Sequence, residues 1–139
     1  MVASPNRRAF DDAIAAWNAG ALPRYLELYD PDIRLHGYGP EPLSKDQVSA
    51  MYAGMFESLE GIHLDVGDVV EEGDRLCARA TLTGVHRGEL FGVAGTGNLI
   101  TQEVITILRF RGGRCVERWS VADTLGVLLQ IGAVTLPAS

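Results

Sequence analysis

Cysteine, histidine and positive charge are all scarce in this chain of 139 residues. The two cysteines, Cys77 and Cys115, lie 38 residues apart in apolar, strand-like segments and form no CxxC pair, so they read as buried free thiols. The three histidines, His36, His63 and His86, form no HxH or HxxxH pair, and no structural or catalytic metal is expected. Twelve Lys+Arg stand against eighteen Asp+Glu, a formal net charge of -6 with no basic run, which makes nucleic acid and anionic membrane surfaces poor partners. No apolar run approaches the roughly 20 residues of a membrane span. No apolar stretch stands behind Met1 to Arg8 either, so no secretory signal is visible and a cytoplasmic protein is expected. What remains is 47% hydrophobic and 22% charged residues, enough for one soluble domain over residues 1–139.

Helical spacing comes first along the chain. Ser4-Pro5 is a helix start, and Phe10, Ala13, Ile14 and Trp17 share one face before Gly20. A short helix is expected from Pro23 to Tyr29, ended by Asp30-Pro31-Asp32, then a strand from Ile33 to Gly37. Ser44-Lys45-Asp46-Gln47 has the form of a capping box and opens a third helix that runs to about Leu59, closed by Gly61. The period then changes to two. Strands are expected over Ile62 to Glu72, Arg75 to His86, Leu99 to Phe110 and Arg114 to Ala122. Hairpin turns at Gly73-Asp74 and Gly112-Gly113 imply antiparallel pairing. A loop with glycines at 88, 92, 95 and 97 separates the second and third of these strands and suits a rim or lid. A last helix is expected from Asp123 to about Ile131. The expected class is α+β, a curved antiparallel sheet wrapped around N-terminal helices. Its second face, if apolar, calls for a homodimer.

The pattern His86-x-Gly88-Glu89-Leu90-Phe91-Gly92-Val93, Arg109-Phe110-x-Gly112-Gly113-Arg114-x-Val116-Glu117-x-Trp119 and Asp123-Thr124-Leu125-Gly126 resembles the SnoaL-like polyketide cyclases. The order of elements matches as well. The resemblance implies the cone-shaped α+β barrel of the nuclear transport factor 2 superfamily, a cofactor-free interior pocket, and dimers or larger oligomers. In the anthracycline cyclases of the family, a strand aspartate is the proposed base for aldol closure, assisted by a histidine on the preceding strand. The matching positions here are Ser120 and Thr106. A serine hydroxyl is no general base without an activating group.

Several residues remain as candidates. If Ser120 and Thr106 face inward, alternation also brings in Arg118, Val116, Val104 and Gln102. Arg118 would then form a polar patch with Ser120 and Thr106, suited to a carbonyl, enolate or carboxylate oxygen; the alternative is an Arg118 that faces solvent or pairs with Glu103. His36 and His86, each at a strand end, are candidate proton carriers or hydrogen-bonded structural residues. Asp123 is either a site carboxylate or the cap of the last helix. Leu35, Met51, Tyr52, Met55, Phe56, Phe91, Val104 and Thr106 are candidate walls for a flat, apolar ligand. The glycine loop carries no Lys-Ser/Thr and gives no nucleotide site. Two main readings stay open: a pocket for a hydrophobic carbonyl compound, with cyclase or isomerase chemistry, and a binding module that kept the fold and lost the chemistry. An epoxide hydrolase or isomerase is a third, and needs Asp123 or Glu103 as a buried base.

Overall fold

The computed structural model describes residues 2–138. Helix α1 (Pro5–Asn18) starts where Ser4 Oγ accepts the Arg7 amide at 3.0 Å, and the same hydroxyl donates to Glu71 at the far end of the sheet. A short α2 (Leu22–Tyr25) and a 3-10 turn (Leu26–Leu28) run directly into strand β1 (Tyr29–His36). The chain therefore turns extended at Tyr29, earlier than the expected Ile33. Pro31 does not prevent this, because β1 is an edge strand and its amide there has no ladder partner to lose.

Helix α3 (Lys45–Ser58) opens on a complete capping box between Ser44 and Gln47. It ends one residue before strand β2 (Leu59–Glu72). Gly61, expected to separate the two, lies inside the strand at φ 66°, where the register to β3 shifts. Strands β3 (Arg75–His86), β4 (Leu99–Arg111) and β5 (Arg114–Ala122) come next, with helix α4 (Thr124–Gln130) last.

The sheet order is β1-β5-β4-β3-β2, antiparallel throughout except for the parallel β1·β5 pair. The curved sheet closes over α1 and α3, as the α+β expectation requires. Even-numbered residues of β3 and β4 face the helices: Leu76, Ala78 and Leu82 on one, Ile100, Thr106 and Leu108 on the other, all buried. Trp17 of α1 is only 2% exposed and stands at the centre of this core, edge-on to Tyr25 and Tyr52 and tilted against Phe56. Among the described residues, no helix is long and apolar enough to cross a membrane.

A bulge between β4 and β5, where Arg109 faces Glu117 but Phe110 faces Cys115, breaks the alternation at the start of β5. Cys115 joins the core in place of the expected Val116. Burial pushes its thiol up to about 11, which leaves it unreactive at neutral pH.

Candidate functional site

Between the sheet and the helices lies a cavity of about 490 Å³, the size of a drug-like ligand. Its walls are mostly apolar, from Phe10, Ile14, Leu82, Ile100 and Val127 among others. Two charged residues line it: Glu89, exposed at the rim, and Arg118, deep inside.

Arg118 reaches the cavity because the bulge at the start of β5 sets the parity for the rest of the strand, Arg118 and Ser120 inward, Glu117 and Trp119 outward. Its Nε donates to Thr106 Oγ1 at 2.9 Å. Its Nη1 donates to Tyr25 at 2.9 Å, to Tyr29, and more weakly to Tyr52 at 3.4 Å. The phenols continue as a chain: Tyr25 to Tyr29 at 3.0 Å, Tyr29 to Tyr52 at 2.9 Å, and Tyr52 to Tyr38 at 2.8 Å. All four tyrosines of the protein meet here. Ser120 Oγ lies 2.9 Å from Thr106 Oγ1 and 3.5 Å from Tyr38 Oη.

Gly37 makes the Tyr38 corner possible. Its φ is 90°, and a Cβ there would collide with the Ser120 carbonyl oxygen. Only glycine lets the chain leave β1 this close to β5 and swing Tyr38 over the site.

Burial raises the pKa of Tyr29 and Tyr52 well above the ordinary value, and the opposing pull of Arg118 does not cancel it. Both stay protonated. Burial works against the Arg118 cation, but the surrounding tyrosine oxygens outweigh it and the guanidinium stays charged.

The sequence candidates divide around this cavity. Arg118, Ser120, Thr106, Val104, Tyr52, Met51, Met55 and Phe91 line it. Phe56 does not, since it packs behind the wall on Trp17, and Leu35 is wholly enclosed in the core. His36 lies on the opposite face of the sheet, bonded to Glu117 at 2.8 Å and stacked on Trp119. Glu117 also binds Arg109, and its carboxyl is held below the usual range, first by the His36 hydrogen bond and then by Arg109. His86 is fully buried but lines no part of the cavity. Its Nδ1 accepts the Thr96 amide, which puts the ring hydrogen on Nε2 and pins the glycine loop to the strand end. Asp123 caps α4 through the Gly126 amide at 2.9 Å. Glu103 accepts from Thr81 on the exposed face.

Tyr25, Tyr29 and Tyr38 are the site residues that sequence reasoning missed. Tyr25 and Tyr29 read as the apolar side of a short helix, and Tyr38 sits in a loop. The available signal was the crowding of every tyrosine between residues 25 and 52. The glycine loop does form a rim: Phe91 and Gly92, both at positive φ, make a tight turn inside the Leu90–Val93 bridge, with Phe91 58% exposed above the cavity.

A curved sheet closed over helices around an apolar cavity with one polar end defines an α+β barrel with an internal pocket. The chain belongs to the SnoaL-like polyketide cyclase family, whose model matches residues 7–131. It is 30% identical over 115 residues to aklanonic acid methyl ester cyclase DnrD of Streptomyces peucetius, covering 83% of this chain and 70% of that protein. Its fold is shared with AclR of Streptomyces galilaeus, at a TM-score of 0.84 and 30% identity over 94% of this chain and 97% of that one. IdmH of Streptomyces antibioticus matches at 0.78 and 26% identity, over 91% and 98%.

Proposed function

We propose that this protein binds a hydrophobic, carbonyl-containing small molecule in its barrel cavity and promotes proton transfer next to the carbonyl, the first step of a cyclisation or isomerisation. The observation that carries the reading is Arg118, a charged donor set in a cage of tyrosine side chains at the polar end of an apolar cavity. A carbonyl oxygen placed there would be polarised, and the enolate formed when the neighbouring carbon gives its proton to water at the cavity mouth, where Glu89 is the lining carboxylate, would be stabilised more than the ketone. A preorganised donor of this kind is worth on the order of 10²-fold in rate. The kinship with DnrD, named as the cyclase of a methyl ester, supports a carbonyl-containing substrate.

A second reading, a binding module without turnover, is favoured by one specific observation. Ser120 and Thr106 occupy the positions of the family's Asp and His, and neither His36 nor His86 lines the cavity. Two measurements decide between them. Calorimetry with tricyclic ketones such as anthrone should show one-to-one binding that Ala80→Phe, which fills the cavity, removes; binding indifferent to that substitution would sink the cavity reading. Exchange of the ligand's α-hydrogens for deuterium, monitored by NMR, should run faster than buffer background; binding without exchange would leave the module.

We also propose that a second copy of the chain covers the outer face of the sheet, where Ile105, Ile107 and Val121 are exposed. A mass of about 15 kDa in sedimentation, rather than twice that, would refute it.

A further inference from the structure

A buried cation is costly unless a counter-charge or a full set of acceptors replaces its hydration. Arg118 has no counter-charge. It takes part in none of the salt bridges among the described residues, and the neighbouring Glu117 points to the other face, engaged by Arg109 and His36. Glu89, at the rim, makes no ion pair with it.

The hydrogen-bond count is also unbalanced. Nη2 donates to no protein atom, yet it is not sealed off like the orphaned nitrogens of Trp17 and His86, so it opens on the cavity. The three contacts along the tyrosine chain use three of four phenolic hydrogens, and Ser120 Oγ, 3.5 Å from Tyr38, is within reach of the fourth. The polar end of the cavity therefore offers donors and a full positive charge, with too few acceptors to match.

From this imbalance we infer that the ligand is an anion: a monocarboxylate on an apolar body, with its charged oxygens against Arg118 Nη2. A carboxylate is the complement the site lacks, because it brings only acceptors and one negative charge. A neutral ester or ketone would satisfy the donors and leave the charge unmatched. This inference rests on the cavity reading above and narrows it to a charged ligand, in contrast to the methyl ester for which DnrD is named.

The test is a matched pair of probes, anthraquinone-2-carboxylate and its methyl ester, titrated calorimetrically into the wild-type protein at pH 7. The carboxylate should bind at least tenfold tighter. Arg118→Met should abolish that preference, and Arg118→Lys should restore part of it, with circular dichroism confirming that each variant is folded. Equal affinity of the two probes for the wild type would overturn the anion inference and leave the cavity reading standing. Binding of neither probe would overturn both. Because the decisive comparison uses the unmodified protein, a poorly folded variant cannot rescue the inference.

Discussion

Two arginines on neighbouring strands share one sheet and have opposite surroundings. Arg109, on the outer face, meets a carboxylate: its Nη2 lies 3.1 Å from Glu117, which is bonded on its other side to His36. Arg118, on the inner face, meets only hydroxyls. The outer network is closed and half-exposed, and needs nothing further. The inner one lines the cavity and lacks a counter-charge, so it is electrostatically incomplete. A satisfied charge explains itself through the fold, whereas one left unmatched inside a pocket points to something that arrives later.

One tryptophan also lies on each side of the sheet, Trp17 of α1 inside and Trp119 of β5 outside, and this contrast predicts the largest effect. Trp17→Ala should lower unfolding stability by about 3–5 kcal/mol, because it removes the ring that Tyr25, Tyr52 and Phe56 pack on. Trp119→Ala removes a half-exposed ring that stacks on His36 and lies beneath Arg75, and should cost about 1 kcal/mol in the monomer. Urea denaturation of both variants measures the difference, and equal losses would break the contrast between the faces.

Next in size is the response to deleting the inner charge. Arg118→Met should be no less stable than wild type, and up to about 1 kcal/mol more so, since a half-buried cation without a counter-charge is replaced by an apolar side chain of similar length. A loss beyond about 2 kcal/mol would mean that Arg118 is a structural residue like Arg109. Stability gained with binding lost is the expected signature of a site that holds strain for function.

The smallest effect belongs to the outer network. The folded-state pKa of Glu117 is depressed, so its contribution is fully present above the ordinary carboxyl range near 4.5 and is lost as pH falls through the lower folded value. Glu117→Gln should therefore flatten the acid limb of the stability profile while costing less than about 1 kcal/mol at neutral pH, as suits a partly exposed ion pair. Thermal melts between pH 3 and 7 measure it; an unchanged acid limb would remove the network from the account of stability.

The elements set by short-range chemistry were legible in the sequence. Ser44 and Gln47 cap each other across three residues, and the hairpins turn at Gly73 and Gly112, so their structure is fixed by neighbours in the chain. Alternation also places Arg118, Ser120 and Thr106 on one face. It fails at Val116, because a bulge is decided by cross-strand register and leaves no mark in the residue pattern. The same limit hid most of the site. Tyr29 and Arg118 are 89 positions apart, and their contact exists only once the parallel β1·β5 pair has formed. His36 went the other way for a similar reason. It reads as a candidate proton carrier at a strand end, but its register opposite Trp119 puts it on the outer surface.

The placement of Trp17 has a further consequence. Its indole borders the cavity, with the rings of Tyr25 and Tyr52 centred 5.0 and 5.2 Å away. Light absorbed by the phenols at such short range passes to the indole, so much of the protein's ultraviolet emission is collected at the chamber wall. A molecule entering the chamber changes the surroundings of that emitter directly, while Trp119 on the far side of the sheet provides a steady background. The protein is thus equipped as its own optical gauge of occupancy, readable without any label.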